Sequence, residues 1–538
     1  MDTNYPTQKT HPEGELSKNN SEDHFSSSTQ PLTCDTYGGL VHVEWDEQAP
    51  ITPIGQLVFF VQFLKSCNLF GQWVEDCPLL FSSPNAPKKV DILGTMLLSV
   101  LSGQTRYAHI TGIRQDAVNP SLLGMSRVLS EDSVRRAFQN ANADKCKKWQ
   151  QKHLEACFDP LLAEKWILDV DATIKILYGN QEGAEVGYNP TKPGRPAHMI
   201  HTYVMAETRL ILDCEVQSGK QSAASYSLPG LLEIIDRQPE GKKPSLVRGD
   251  CAFGNERVLK DIEYRFIDYL FKVRQTKKVK ELIDLCNRTK EDWTDAGQGW
   301  EGVGAELLLT GWSKKRRVIV LRRKMNKTRG RKKKNPQQLL LPFMGAVLDS
   351  SEYEYAVLVT TLNGEILTIA QLYRDRATSE NNFDELKNQW GWAGFVTQDL
   401  KRSQIMARIV AQVYNWWTLF VRWVEPDKHR EAITSRPLML YGVARQTQHA
   451  GQTTLKVTPM HGKAAEVQKR VGLITRFLNV IKSYAEQYNI YEKWRRILSV
   501  IFVNFLKGRL LLGDEQKQYE KWSSNRIGFE NGLDPNPA

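Results

Sequence analysis

The sequence changes character near residue 165, and this change constrains the fold more than any other feature. Short apolar runs rich in β-forming residues follow one another from there: KWILDVDATI, RPAHMIHTYVMAE, TRLILDCEVQSG and PSLVRGDCAF. Segments with helical character, such as LPGLLEIIDRQ and GNERVLKDIEYR, alternate with them. This alternation predicts an α/β fold, in which a mixed sheet packs against helices.

The segments on either side of this core have different patterns. The first fifty residues are rich in Ser, Asn and charged residues and cannot bury enough apolar surface to order themselves. Further along, the apolar runs GAELLLTGW, RRVIVLRRK and YEYAVLVTTL surround a basic segment that has no hydrophobic period. We predict a flexible leader at 1–50, a helical N-terminal region at 51–160, a core divided between 161–279 and 366–430, a β-rich insertion at 280–365 and a helical C-terminal region at 431–538.

One stretch of the N-terminal region, LLGMSRVLSEDSVRRAF, has two interpretations. Ser130 is a predicted helix N-cap, because acidic residues follow it in the first turn. The stretch is either a helix-turn-helix with Arg135 and Arg136 on its second helix or an ordinary pair of helices with a basic edge. Such turns carry too little sequence information to decide between the two.

Charge and cysteine usage narrow the class of protein only slightly. The 538 residues carry 72 Lys and Arg against 61 Asp and Glu, a net charge of +11, which suits a polyanionic partner without requiring one. The eight cysteines include no C-x-x-C pair, which is typical of free thiols in a reducing compartment. Because the sequence has no secretory h-region and no apolar run of membrane-spanning length, we predict a cytoplasmic protein without a membrane partner.

Three acidic residues stand out by their context. Asp171 ends the apolar run WILDVD, and Asp250 ends the apolar run SLVRGD. A carboxylate beside a buried strand is costly unless it faces a cleft or a metal ion. Asp169 is an alternative to Asp171, because residues two apart on a strand point to the same face. The third acid, Glu380, opens a helix in RDRATSENNFDELKNQW.

The residues around Glu380 form the most specific pattern in the chain. Tyr373, Arg376, Glu380 and Lys387 follow the spacing Y-x2-R-x3-E-x6-K. Glu380 and Lys387 lie two turns apart on one helix face, where a carboxylate can bind a metal and an ammonium can bind a phosphate. The helix has a predicted cap in one of two residues just before Glu380, Thr378 or Ser379.

This spacing resembles the Y-R-E-K signature of bacterial insertion-sequence transposases of the DDE type. LDVDATIKILYGNQEGAEVGYNPTKPGRPAH is similar to the block around the family's first catalytic Asp, VRGDCAFGNERVL to the second block, and LYRDRATSENNFDELKNQWGWAGF to the third. The family's D-x-T form favours Asp171, followed by Thr173, over Asp169. The resemblance covers roughly residues 50–430.

The resemblance implies a ribonuclease H-like catalytic core that carries Asp171, Asp250 and Glu380. These three carboxylates would be both the catalytic residues and the ligands of two Mg²⁺ ions, which Mn²⁺ can replace. The activity implied is DNA cleavage and strand transfer in cut-and-paste transposition. The region 51–160 would then be a DNA-binding region.

The resemblance also implies a DNA partner. The substrates would be double-stranded DNA of the element's terminal inverted repeats and of the target, bound by a homodimer. The implied DNA-binding residues lie in the Y-R-E-K motif and in the basic loop: Tyr373, Arg376, Lys387, Arg329, Arg331, Lys332 and Lys333. Three insertion aromatics are candidates for stacking on a flipped base, with ordinary β-core packing as the alternative: Tyr355, Trp312 and Trp300.

Two other functions remain open from sequence. One is a non-mobile ribonuclease H-like nuclease, which would hydrolyse DNA without joining it. The other is a catalytically inactive DNA-binding protein descended from a transposase, although all three acids are present.

Overall fold

A computed structural model describes most of the chain and divides it into two compact units, residues 1–49 and 50–538. The described residues are 32–43, 50–163, 165–190, 192–221, 223–289, 292–325, 352–458, 461–483 and 488–506. The first unit contains an antiparallel hairpin of β1 (Leu32–Thr36) and β2 (Gly39–Val43). The hairpin differs from the expectation of a loose leader. Its signal is the Tyr37–Gly38 turn between two short β-forming runs, which the polar composition around them obscures.

The second unit is built on a ten-stranded sheet. Its strands are β4 (Ile167–Ile176), β5 (Glu185–Val186), β6 (Pro196–Met205), β7 (Leu210–Ser218), β8 (Leu246–Gly249), β9 (Asp268–Lys272), β10 (Thr294–Gly297), β11 (Trp300–Leu307), β12 (Arg316–Lys324) and β13 (Tyr353–Thr360). The order across the sheet is β10-β11-β12-β13-β9-β8-β4-β6-β5, and β7 also pairs with β6. A mixed α/β fold is therefore confirmed.

The strands at the centre of this sheet run parallel to one another. β8 pairs in parallel with both β4 and β9. The antiparallel pairs β4–β6 and β6–β7 extend the sheet on one side, and the antiparallel pair β9–β13 extends it on the other. The strands of the predicted insertion thus continue the core sheet through β13 instead of forming a separate layer. The sequence could not indicate this, because strand order depends on contacts between distant segments.

Fifteen α-helices surround the sheet within the described residues. They are α1 (Leu57–Ser66), α2 (Leu69–Glu75), α3 (Lys89–Leu101), α4 (Asn119–Leu122), α5 (Glu131–Ala137), α6 (Ala143–Ala156), α7 (Ala223–Arg237), α8 (Glu256–Tyr264), α9 (Lys277–Arg288), α10 (Ile366–Arg374), α11 (Ala377–Gln389), α12 (Leu400–Val424), α13 (Ala432–Met439), α14 (Ala464–Ser483) and α15 (Ile490–Leu506). Short 3₁₀ helices lie at Tyr107–Ile113 and Asp159–Ala163.

Helix α12 is the centre of the helical layer. Nearly all of its 25 residues are buried. It packs on β7 and also contacts α1, α3, α6, α14 and α15. Its aromatic residues interlock with those of α1 and α2, as Trp417 does with Phe60 and Trp416 does with Trp73. Across the described part of the chain, no helix combines the length and apolar character that a bilayer crossing requires.

The predicted Ser130 cap is confirmed, since the Ser130 side chain accepts a hydrogen bond from the backbone N–H of Ser133. The helix that it caps, α5, contains only seven residues, and the preceding α4 contains four. Residues 123–130 separate the two helices. This spacing favours an ordinary helical pair over the tight turn of a helix-turn-helix.

The C-terminal region 431–538, predicted to be helical, contains a β-hairpin as well. β14 (Val443–His449) and β15 (Gln452–Thr458) are antiparallel, and β14 also pairs with β3 (Ile51–Thr52) near the start of the second unit. Threonine and valine alternate with polar residues here, which favours strands, and Gly451 has a φ of 76° in the turn. The strongly helical segments on either side mask this short signal.

His201 gives the sheet a predicted sensitivity to acid. It is fully buried on β6, its two ring nitrogens have no hydrogen-bond partner, and burial lowers its pKa to about 4. The unfolded chain takes up this proton first, so stability falls as the pH drops from about 6.5 towards 4. Between pH 7 and pH 5, we expect the free energy of unfolding of His201→Leu to fall by about 2 kcal/mol less than that of the wild type. Urea unfolding at both pH values measures the difference, with the exposed His449→Leu as control; parallel losses in His201→Leu and wild type would contradict it.

Candidate active site

Asp171, in the middle of β4, and Asp250, just after the end of β8, lie side by side where the pairing of these two parallel strands ends. In the register of β4 and β8, Val170 is opposite Gly249, so the two aspartates occupy the next position along the pair. Asp250 follows the end of β8, where its Oδ1 accepts a hydrogen bond of 2.8 Å from the backbone N–H of Ala252. Two acids 79 positions apart in sequence are therefore neighbours in the fold.

The surroundings of Asp171 disfavour the charged form of its carboxyl group. Burial raises the pKa of Asp171 to about 6, the guanidinium of Arg376 opposes the rise, and the negative charge of Asp250 adds to it. Its backbone neighbour also contributes, since the N–H of Ala172 donates to Asp171 Oδ1 at 2.8 Å. A cation beside this pair would relieve the unfavourable burial of its charge.

Asp169, the alternative to Asp171, has a different environment. Both of its oxygens accept hydrogen bonds from Arg248, from Nε at 2.7 Å and from Nη2 at 2.8 Å. The two side chains are each 2% exposed. The third nitrogen, Arg248 Nη1, donates to the carbonyl oxygen of Leu372 at the end of α10. Asp169 is thus part of a buried bidentate ion pair that joins β4, β8 and α10.

Two residues of the Y-R-E-K motif contact this part of the sheet. Arg376, which is 7% exposed, donates from Nη1 to Asp171 Oδ2 at 2.7 Å. Its Cζ lies 5.8 Å from the centre of the Tyr373 ring. Burial raises the pKa of Tyr373 to about 12, and the charge of Arg376 opposes that rise. The last turn of α10 carries Tyr373 to the aspartates, and the short connection to α11 carries Arg376 there.

Glu380 and Lys387 both lie in α11. The helix begins at Ala377, so the predicted cap was wrong and both Thr378 and Ser379 lie inside its first turn. The reason is the backbone of Arg376, which has helical angles (φ −60°, ψ −21°) and continues the chain almost directly from α10. The side chain of Glu380 is outside the described part of the structure. The predicted basic loop also lies outside the described residues: Arg329, Arg331, Lys332 and Lys333.

Sequence reasoning missed the polar contacts that hold α11. Glu385 is buried and accepts hydrogen bonds from Trp390 Nε1 at 3.0 Å and from the backbone N–H of Ala432 at 3.1 Å. Its other oxygen lies 2.8 Å from His429 Nε2. No local pattern marks Glu385, because its partners lie in the loop after α11 and in the α12–α13 segment.

Lys175 ties β4 to the loop after α11. It is the last charged residue of β4, is 6% exposed and donates to the carbonyl oxygen of Gly394. Burial lowers the pKa of Lys175 to about 8. The strand that carries Asp171 and the loop that follows the helix of Glu380 are thereby linked. A lysine inside an otherwise apolar run was the available signal.

The three aromatic residues considered for base stacking have partners within the protein. Trp312 is 8% exposed and lies under the guanidinium of Arg316, whose Cζ is 5.3 Å from the ring centre. The ring of Trp300 has Arg323 Cζ at 4.8 Å. The hydroxyl of Tyr355 accepts a hydrogen bond from Asn287 at 3.0 Å. These contacts favour packing roles.

The donor set suits a hard divalent cation. Asp171 and Asp250 offer carboxylate oxygens, which Mg²⁺ and Mn²⁺ prefer. Among the side chains that the structure describes, no three His, Cys, Asp or Glu residues converge as a metal site. Glu380, the expected third ligand, is not one of those side chains. The two described carboxylates fit one part of such a site.

Comparison with known proteins identifies the class of this chain as a DDE-type transposase. It belongs to the family Transposase DDE domain group 1, whose model matches residues 86–459, well over half of the chain. No curated protein matches it. A distant likeness exists to the cryo-EM structure of the piggyBac transposase synaptic complex with hairpin DNA. The TM-score is 0.34 at 11% identity, over 85% of this chain and 88% of that chain.

Proposed function

We propose that this protein cuts DNA and joins the cut ends to a target, moving an insertion sequence by cut-and-paste transposition. Asp171, Asp250 and Glu380 are its catalytic residues in this proposal. The observation that carries it is the position of Asp250, just after β8, beside Asp171 of β4, with Arg376 bound to Asp171 at the start of the Glu380 helix. Membership of a transposase family supports the reaction class.

The strand arrangement supports a ribonuclease H-like core. If the two-residue β5 is left aside, the first five strands of the sheet in chain order are β4, β6, β7, β8 and β9. Across the sheet they lie in the order β7-β6-β4-β8-β9, with β6 antiparallel to its neighbours and β4, β8 and β9 parallel. The first acid is then on the first strand and the second acid follows the fourth.

In this proposal, Asp171, Asp250 and Glu380 hold two Mg²⁺ ions. When bound, such ions supply activation of a water or a DNA 3′-hydroxyl and stabilisation of the leaving oxygen. The Asp171 side chain is mostly buried, and the lower local dielectric strengthens its attraction for a cation.

Arg376, Tyr373 and Lys387 position the DNA phosphate in this proposal. The guanidinium of Arg376 lies between Asp171 and the Tyr373 ring, so it can hold a phosphate oxygen close to the carboxylates. The raised pKa of Tyr373 keeps its hydroxyl protonated as a hydrogen-bond donor. Lys387 lies two turns beyond Glu380 on α11 and adds a second cation along the backbone path.

The proposed substrates are the terminal inverted repeats of the element and the target duplex, brought together by a homodimer. The basic residues of the segment 327–334 would add salt-dependent binding to the DNA backbone. This contribution is general to DNA and would not distinguish one sequence from another.

The test uses the purified full-length chain and a plasmid that carries its gene with the native flanking DNA. We expect Mg²⁺-dependent release of the gene-bearing segment and, with pre-cut ends, joining to a second plasmid. Release without joining would replace the proposal with the nuclease alternative. Binding without cleavage in either Mg²⁺ or Mn²⁺ would replace it with the inactive DNA-binding alternative.

A further inference from the structure

The hairpin of β14 and β15 is an antiparallel ribbon whose pairing runs from Val443 opposite Thr458 to His449 opposite Gln452. At its base, β14 also pairs with β3 and Gln446 N–H donates to the carbonyl of Pro50 at 2.9 Å. Beyond Arg445, the register with β3 ends. The ribbon is therefore anchored at one end, and among the described residues no strand other than β3 pairs with it.

The two faces of this ribbon differ in exposure. One face contacts the body of the protein, where Ala444 is buried and Gln446, Leu455 and Val457 are partly buried. Every residue of the other face is exposed: Val443, Arg445, Thr447, His449, Gln452, Thr454, Lys456 and Thr458. The ribbon thus presents a continuous row of polar side chains away from the protein.

The charged side chains of the ribbon are all basic. Residues 443–458 include no Asp or Glu, although the whole chain has 61 of them. The exposed face carries Arg445, Lys456 and His449 together with hydroxyl and amide groups. Cations with uncharged hydrogen-bonding side chains match the phosphates and base edges of DNA. A basic partner would find no acidic group there to pair with.

We propose that the β14–β15 ribbon lies in the major groove of duplex DNA and reads its sequence. The major groove, about 12 Å wide, accepts a two-stranded β-ribbon. Thr447, Thr454 and Gln452 point to the base edges, and Lys456 contacts a phosphate at the groove wall. This inference rests on the proposed function, since it names the element by which the transposase recognises its DNA.

The ribbon is also connected to the candidate active site. It follows α13 directly, and α13 is joined to α11 because the N–H of Ala432 donates to Glu385 and that of Ile433 donates to Gln389 at 2.7 Å. Arg436 of α13 donates to the carbonyl of Gln389 as well, at 2.8 Å. DNA bound by the ribbon is therefore held in a fixed relation to the helix of Glu380.

The test compares three full-length proteins by selection from a pool of random-sequence duplex DNA. Thr447→Val with Thr454→Val removes two hydroxyls from the exposed face and keeps the β-branched shape that favours strands. Thr453→Val makes the same change on the opposite face and is the matched control. Thermal unfolding of all three should coincide, because these positions are exposed.

We expect the wild type and Thr453→Val to select the same motif, with methylation of guanine N7 in that motif blocking binding. The double variant should bind the selected duplex about tenfold or more weaker, while its affinity for random duplex changes less than about twofold. Any of three results would overturn the proposal. The double variant could bind with the same affinity and select the same motif, the wild type could select no motif, or the double variant could differ from the wild type only in its oligomeric state. Cleavage of the native plasmid by the wild type distinguishes this failure from a failure of the proposed function.

Discussion

Replacing Asp171 or Asp250 by Asn is expected to abolish DNA cleavage. Either change removes a carboxylate from the pair formed by Asp171 of β4 and Asp250 after β8, where burial and mutual repulsion favour binding of a cation. Metal ions supply several kcal/mol of charge stabilisation in such reactions, so the cleavage rate should fall by more than about a hundredfold. Because Asn matches Asp in shape, the fold should persist.

Cleavage of the native plasmid at saturating protein measures this effect, and calorimetric titration with Mn²⁺ measures cation binding independently of activity. Asp268→Asn is the matched control, because Asp268 lies at the start of β9, away from the carboxylate pair. It should cleave within about twofold of the wild type. Wild-type cleavage by Asp171→Asn with loss of cleavage by Asp169→Asn would show that the wrong aspartate was assigned.

Replacing Arg248 by Met is expected to destabilise the protein by about 3–5 kcal/mol, the usual result of breaking a buried ion pair. The change leaves Asp169 with an uncompensated buried charge and removes the donor to the Leu372 carbonyl. Since α10 carries Tyr373 and leads directly to Arg376, cleavage should weaken as well, although neither Arg248 nor Asp169 touches DNA in our proposal.

Urea unfolding measures the loss of stability in Arg248→Met, and two further variants serve as comparisons. Asp169→Asn with Arg248→Met removes both charges and should recover a large part of the stability. Arg323→Met breaks the pair of Arg323 and Glu354, whose side chains are 45% and 50% exposed, and should cost less than about 1 kcal/mol. A single Arg248→Met variant as stable as Arg323→Met would mean that the buried pair contributes little.

The strands that carry the aspartates could be predicted because their apolar runs are short, β-rich and closed by an acid. The difference between Asp169 and Asp171 could not. Both side chains point to one face of the strand, and only their partners distinguish them. Asp169 is bound by Arg248, and Asp171 is bound by Arg376. These partners lie 79 and 205 positions away, beyond the reach of any local pattern.

The arrangement of the remaining strands was equally hidden. Each strand of the region 280–365 has a clear β pattern, but the pairing of β13 with β9 is a contact between distant segments. The β14–β15 ribbon was missed for a related reason, since its seven-residue strands lie between long amphipathic helices whose signal dominates. Local propensity predicts elements more reliably than it predicts their neighbours.

The single continuous sheet has a mechanical consequence. The basic segment lies between β12 and β13 in the sequence. In the sheet, β13 is next to β12, and β9 alone separates β13 from β8. At about 4.8 Å per strand, β12 lies roughly 14 Å from β8. Backbone hydrogen bonds resist stretching across a sheet, so the spacing between β12 and β8 is fixed. The strands on either side of the basic segment are therefore held at a set distance from β8, the strand that leads to Asp250.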